Sequence, residues 1–181
     1  GISIFIVPKF KINEDGSVTV ATGSPDIGGS RASMGMMVAE VLGIDVSRVR
    51  TTVADTASIG FTHLTGGSRV TFATSMAATQ AAEKVVDELK KRAAMIWEIT
   101  PDAVEWKDGQ AFPAGTNAGA FEPMDLASLA LKAARTGGPV NAEVSVNAQG
   151  AGAGFGLHIA DVSVERKPAM SRSSAIRRSR T

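Results

Sequence analysis

Two short runs place chemistry-bearing residues together: Gly28-Gly29-Ser30-Arg31 and Gly66-Gly67-Ser68-Arg69. Each lies where a polar, glycine-rich stretch gives way to helical spacing. A helix N-terminus presents unpaired main-chain N–H groups and the positive end of the dipole, so it favours an anion. Glycine lets a large ligand approach the main chain, serine adds a hydroxyl, and arginine can make a charge-assisted bond to phosphate. The same residues satisfy a simpler account: glycine precedes many helices, serine is a good N-cap, and a first-turn arginine can face solvent. Neither run is a P-loop, because no Gly-Lys-Ser/Thr follows, and neither reads Gly-x-Gly-x-x-Gly. Spacing alone stops at an anion site.

The remaining titratable groups add little chemistry. Asp26 precedes a helix start and Asp55 ends a strand beside the second run, so a cap and a loop hydrogen-bonder are expected of them. His63, in the loop before Gly66, is expected to be solvated, and His158 to be structural within a strand. No catalytic residue and no metal ligand is assigned. The absence of cysteine excludes a disulfide, a zinc knuckle, an iron–sulfur cluster and a thiol nucleophile.

The elements that must position these runs follow from patterning. Phe10–Asn13 and Ser17–Thr22 alternate in polarity around Glu14-Asp15-Gly16, predicting a β-hairpin with Gly16 at positive φ. Thr22 to Ser30 is a glycine-rich turn into a helix on which Met34, Met37, Val38, Val41 and Leu42 recur, with Gly43 as its stop. Val49–Ala54 reads as a strand and Asp55–Gly67 as a loop. A long helix follows from Ser68 to Trp97, with Phe72, Met76, Val86, Leu89 and Ala93 as its buried stripe and Glu83, Asp87, Lys90 and Lys91 outward. Its Ala73, Ala77, Ala78, Ala81 and Ala82 allow close packing.

Within Val104–Phe112, Lys107-Asp108-Gly109 predicts a second hairpin. Asp125 caps a short helix ending near Ala134, before Gly137-Gly138. Val140–Val146 and Gly156–Val164 read as late strands separated by a flexible Gln149–Gly154. The opening Ile2–Val7 reads as a strand and not a signal peptide, since no cationic region or cleavage site accompanies it. The fold class is α+β: a mixed or antiparallel sheet packed by one long and one or two shorter helices. No apolar run reaches the ~20 residues of a membrane helix. The compartment stays open, with the cytoplasm favoured.

The residues themselves carry a resemblance. DGSVTVATGSPDIGGSRASMGMMVAEVLGIDVSRVRTTVADT, running into THLTGGSRVTFATSMAATQAA, resembles the molybdopterin-binding large subunit of the xanthine dehydrogenase/aldehyde oxidase family of molybdenum hydroxylases. The match covers Asp15–Ala94 and, more weakly, the strands to Val164. What the resemblance implies is a molybdopterin cofactor, in bacteria a cytosine dinucleotide, wrapped by main-chain amides and small side chains. It puts Ile27, Gly28, Gly29 and Ser30 on one cofactor-contacting turn, and Gly66, Gly67, Ser68, Arg69 and Val70 on the other. Gly29 stands where the family has glutamine, leaving only main-chain contact there, and Ser30 replaces the following glycine.

The implied reaction is hydroxylation of an aldehyde or N-heterocycle with water-derived oxygen, electrons leaving through iron–sulfur and flavin subunits or domains. The family's general base, a glutamate in a Gly-x-Gly-Glu context, is not present in this chain. The expectation is therefore a fragment, inactive alone and without bound cofactor, that self-associates through surfaces the rest of the large subunit would cover. The competing reading is a non-catalytic α+β module binding an anion or a partner.

Residues 1–165 are expected to form a partial molybdopterin-binding domain, and 166–181 a disordered basic tail. From Arg166 onward there are six basic residues and no acid, so the preceding part carries 13 basic and 18 acidic residues, a net charge of −5. That acidic body argues against a nucleic-acid partner. Back-translated with permitted codons and read one base earlier, Lys167–Thr181 can give ETGDVEVLRYTAVQD, close to the family's continuation. A frameshift near Arg166 is the resulting expectation, and the nucleotide sequence of codons 167–181 decides it.

Overall fold

The computed structural model describes residues 9–53, 65–66, 69–148, 154 and 156–162. The expectations for Ile2–Val7, Asp55, His63, Gly67, Ser68 and the 166–181 tail lie outside the described residues, as does most of Gln149–Gly154. The chain divides into two units, Gly1–Ala151 and Gly152–Thr181.

In the first unit, alternation makes the hairpin. Strands β1 (Lys9–Ile12) and β2 (Val18–Thr22) pair antiparallel, with Phe10, Ile12, Val18, Val20 and Thr22 turned inward. The turn between them is closed by the Asn13 N–H bond to Ser17 O and by Ser17 N–H donating to Asp15 Oδ1, both 2.8 Å. From β2 the chain passes through helix α1 (Ser30–Leu42) to strand β3 (Val49–Val53), which lies parallel to β2. Strand β7 (Asn141–Glu143), the core of the expected Val140–Val146 strand, pairs antiparallel with β1. The mixed sheet runs β3-β2-β1-β7.

Helix α2 (Arg69–Trp97) is the spine of the core, packing against α1, β7 and a second, three-stranded sheet. Its buried line is Val70, Ala73, Ala77, Ala81, Val85, Leu89 and Ala93. Leu89 and Ala93 are inside as expected, but Phe72, Met76 and Val86 are only half-buried. The reason is geometric: two helices in close contact admit small side chains between their axes, so larger ones move to the flank where there is room. Of the four residues expected outward, Glu83, Asp87 and Lys91 are exposed and Lys90 is half-buried. On α1, Met34, Val38 and Leu42 are buried at helical spacing, Met37 is exposed, and Val41 is partly covered.

The second sheet, β4 (Val104–Lys107), β5 (Gln110–Pro113) and β6 (Met124–Asp125), is antiparallel in the order β4-β5-β6. Asp108 at φ 49° and Gly109 at φ 74° form the two-residue turn that suits the twist of a hairpin. Trp106 Nε1–H donates to Leu42 O at 2.9 Å, so this sheet satisfies a carbonyl at the end of α1. Strand β6 was not foreseen, because two residues carry no readable alternation. The helix expected to reach Ala134 is divided into α3 (Leu126–Leu131) and α4 (Ala133–Thr136), which meet at Lys132.

Asp125 caps α3, accepting from Ser128 N–H at 2.8 Å. Hydrogen bonds from Ser128, side chain first and main chain second, hold its carboxyl below the usual carboxylate range. Asp125→Ala is expected to cost about 1 kcal/mol in urea unfolding at neutral pH. A depressed folded-state pKa means the ionised cap's contribution is present above the unfolded value of ~3.9 and is lost as pH falls through the folded one. The gap between wild type and variant should therefore close in acid; a gap unchanged by pH would refute the charged cap.

In the second unit, residues 156–162 form no strand, contrary to the expectation for Gly156–Val164. Leu157, Ile159 and Val162 are exposed. Apolar alternation is a pattern only: a strand exists when a neighbour takes its N–H and C=O groups, and none of the described residues does so here.

Candidate functional site

Parallel pairing decides where the two glycine-rich runs can meet. With Thr22 opposite Val53, β2 and β3 end at the same edge of the sheet. The turn to α1 follows β2 at that edge, and β3 precedes α2 in chain order. In open sheets, ligands bind beyond the carboxyl ends of parallel strands, where loops diverge. Thr22 and Val53 from the strand ends, Ser30 and Met34 from α1, and Val70 and Thr74 from α2 converge there around a hollow too narrow to admit water. The structure thus brings Ser30 of the first run and Val70 of the second to one place. Gly66 is exposed, and Arg69 is the first residue of α2.

The turn before α1 has an unusual main chain. Gly28 and Gly29 sit consecutively in the left-handed region, at φ 62° and 81°. A Cβ built at either would meet nothing within 4 Å, so glycine is there for the conformation and the face above it is open. No hydrogen bond engages either N–H among the described residues. Ile27 beside them is half-exposed, at 52%. These features fit a large group held through main-chain contact.

The start of α1 itself corrects the expectation of unpaired donors. Asp26 Oδ1 accepts from Arg31 N–H at 3.1 Å and from Ser30 Oγ–H at 3.5 Å. Arg31 Nε lies 3.4 Å from Asp26 Oδ2, so the guanidinium expected to reach a phosphate is paired with the chain's own carboxylate. Ser30 Oγ in turn accepts from Ile27 N–H at 3.1 Å, and Ala32 N–H bonds Gly29 O at 3.0 Å. Ser30, only 5% exposed, is committed to this turn. Asp26 is the cap that was expected, but it bridges five residues to Arg31, a reach that spacing rules overlook.

A second feature escaped sequence reasoning. Ser24 Oγ and Thr74 Oγ1 are 3.0 Å apart and both fully buried, tying the turn after β2 to α2. Ser75 beside them is also buried, its hydroxyl without a hydrogen-bond partner among the described residues. The readable signal was polar residues interrupting an alanine-rich helix face. His158 lies in the second unit, exposed and outside any strand. Among the described residues no three His, Asp or Glu side chains could hold a metal ion, and no helix is long and apolar enough to cross a membrane.

A cavity of about 710 Å³ lies elsewhere, between the β1–β2 turn and α3–α4. It is lined by the apolar Ile12, Leu89 and Val140 and by Lys11, Asn13, Glu14 and Asp15, of which Asp15 already accepts from Ser17. None of its lining residues belongs to either glycine-rich run, so the strand-end turns remain the candidate.

The fold is an α+β domain whose two parallel strands end at one edge of the sheet. Over residues 8–172 the chain matches the molybdopterin cofactor-binding domain family, and it belongs to that family. The resemblance read from its residues is borne out. Its fold is similar to part of the Cu,Mo-CO dehydrogenase in its carbon monoxide reduced state, with TM-score 0.70 and 21% identity over 81% of this chain and 19% of that one. Quinoline 2-oxidoreductase from Pseudomonas putida 86 is similar at TM-score 0.66 and 22% identity over 80% of this chain and 19% of its own. Reconstituted CO dehydrogenase from Oligotropha carboxidovorans gives TM-score 0.71 and 19% identity over 82% of this chain and 19% of its own. The chain spans about a fifth of the length of these structures.

Proposed function

We propose that this chain supplies one wall of the molybdopterin site of a molybdenum hydroxylase, with the cofactor in its cytosine dinucleotide form. The observation that carries the reading is that β2 and β3 end at one edge of the sheet, where Ser30 and Val70 come together. Gly28 and Gly29 then bind through their N–H groups, and Ile27 packs against the ligand. The second contact in this reading is Gly66–Val70, with Gly67, Ser68 and Arg69 assigned to it from the sequence resemblance. When bound, the cofactor supplies the redox chemistry of hydroxylating an aldehyde or N-heterocycle with water-derived oxygen. The chain's own residues hold and orient it. Without the Gly-x-Gly-Glu base, the chain is inactive alone. Its partners are the rest of a large subunit and iron–sulfur and flavin subunits.

Residues 1–165 carry the binding function in this reading, and the basic 166–181 tail has none. A free-standing anion-binding module is disfavoured, because Asp26 already occupies the end of α1. The test is amide NMR during titration with the oxidised pterin dinucleotide. Expected shifts concentrate at Ile27–Gly29 and Gly66–Val70, and Gly29→Val should weaken binding about tenfold or more, the effect of forcing a side chain into the contact. Saturating ligand with those amides unmoved would sink the proposal.

The outer side of α1 supports self-association of the chain as isolated. Met36 is 62% exposed, and it lines an apolar groove with Met37, Val41 and Thr79. Light scattering should show mass rising with concentration, and Met36→Lys should reduce the rise. A constant monomer mass would count against it.

A further inference from the structure

We propose that the outer side of α1 closes onto the same surface of a second copy, Met36 of each chain entering a groove of the other, so that association stops at a two-fold pair. The pair rests on the self-association read from the Met36–Met37 face and adds its geometry. Met36 stands between two grooves. One runs past Met37 and Val41 to Thr79 of α2; the other is lined by Ala32 and Gly35 of α1 and by Val46, Val49 and Arg50. Since Met36 lines both, its side chain is the ridge that divides them.

The second groove has the room that ridge needs. Gly35 contributes no side chain and Ala32 a single methyl, and the groove's volume of about 440 Å³ admits a methionine side chain. Val46 in its lining is 47% exposed. Knob and hole therefore lie side by side on one chain. A two-fold contact requires that, because each patch must fit a copy of itself. Methionine, unbranched and polarizable, fills such a groove without a fixed shape, and removing this apolar surface from water drives the contact.

Charge selects the groove each ridge takes. Glu40 lies one turn beyond Met36 on the same side of α1 and borders the first groove, whereas Arg50 borders the second. Both are exposed, and neither forms an ion pair among the described residues. With Met36 of one copy in the Arg50 groove of the other, Glu40 comes against the partner's Arg50, and the two-fold makes that pair twice. Exposed ion pairs add little affinity. Here they favour this orientation over one that sets Glu40 against its own copy.

Light scattering of the whole chain over a concentration series reads the pair: mass should rise and level at two copies. Glu40→Arg or Arg50→Glu alone sets like charges together twice and should raise the concentration of half-association about tenfold. The melting temperature of the dilute chain should not change, because both sites are exposed. Mixed in equal amounts, the two variants should recover wild-type association, each supplying the charge the other lacks. Should either variant melt lower, Glu40→Gln and Arg50→Gln remove one charge each and should weaken association about threefold. A mass constant with concentration would overturn self-association and the pair together. A rise beyond two copies would overturn the closed pair alone, and charge variants that associate no better mixed than apart would overturn the Glu40–Arg50 contact and with it the choice of groove.

Discussion

Gly43→Val should lower the stability of the chain by about 2–6 kcal/mol, enough to leave much of it unfolded at moderate temperature. Two independent costs add. Gly43 ends α1 at φ 68°, a conformation a β-branched residue reaches only with strain, on the order of 1–3 kcal/mol. A Cβ there would also stand 2.8 Å from Gly109 N and 3.0 Å from Asp108 Cα. Those are main-chain atoms of the β4–β5 turn, which cannot yield without moving the hairpin, so overpacking adds roughly another 1–3 kcal/mol. Against the ~5–15 kcal/mol that holds a domain together, the sum is large. Gly43→Asn separates the parts: asparagine tolerates the left-handed region and should retain mainly the packing cost. Urea unfolding measures both, and a Val variant within about 0.5 kcal/mol of wild type would contradict the close contact.

Phe10→Ala should cost about 3–5 kcal/mol, the usual range for deleting a fully buried aromatic ring. Phe10 is 1% exposed and lies on β1, between β2 and β7, opposite Val20 and Ala142. Both neighbours belong to strands that cannot close over the cavity without breaking their ladders. The denaturation midpoint should fall with the slope unchanged, the sign of lost stability without a changed denatured state. Met36→Ala, at an exposed site on α1, is the control and should be nearly neutral. If the two variants unfolded alike, the position of the core would be wrong.

Those two positions differ in how readable they were. Gly43 was legible as a helix stop, but its contact with Gly109 was not, since the partners lie 66 positions apart in the chain. Phe10 was legible as one half of an alternating hairpin, because strand polarity and the Glu14-Asp15-Gly16 turn are local signals. Asp108-Gly109 and the Asp125 cap were legible for the same reason. On α2 the alanines announced close packing, yet the buried line was misplaced onto Phe72, Met76 and Val86. Hydrophobicity alone favours large residues, whereas the helix contact has room only for small ones.

For the candidate site, the sequence by itself determined the materials: two glycine-serine turns before helices, and residues whose order resembles a molybdopterin-binding family. Helix starts and turns are written in neighbouring residues, so their chemistry is readable one segment at a time. Only the tertiary structure decided that β2 and β3 run parallel, bringing Ser30 and Val70 to one edge, because strand pairing depends on contacts far apart in the chain. It also decided that Asp26 pairs with Arg31 at the start of α1 while the N–H groups of Gly28 and Gly29 stay free of described partners. Charge and donors were countable from residue types. Which donor each charge takes is a matter of distances, and those exist only after folding.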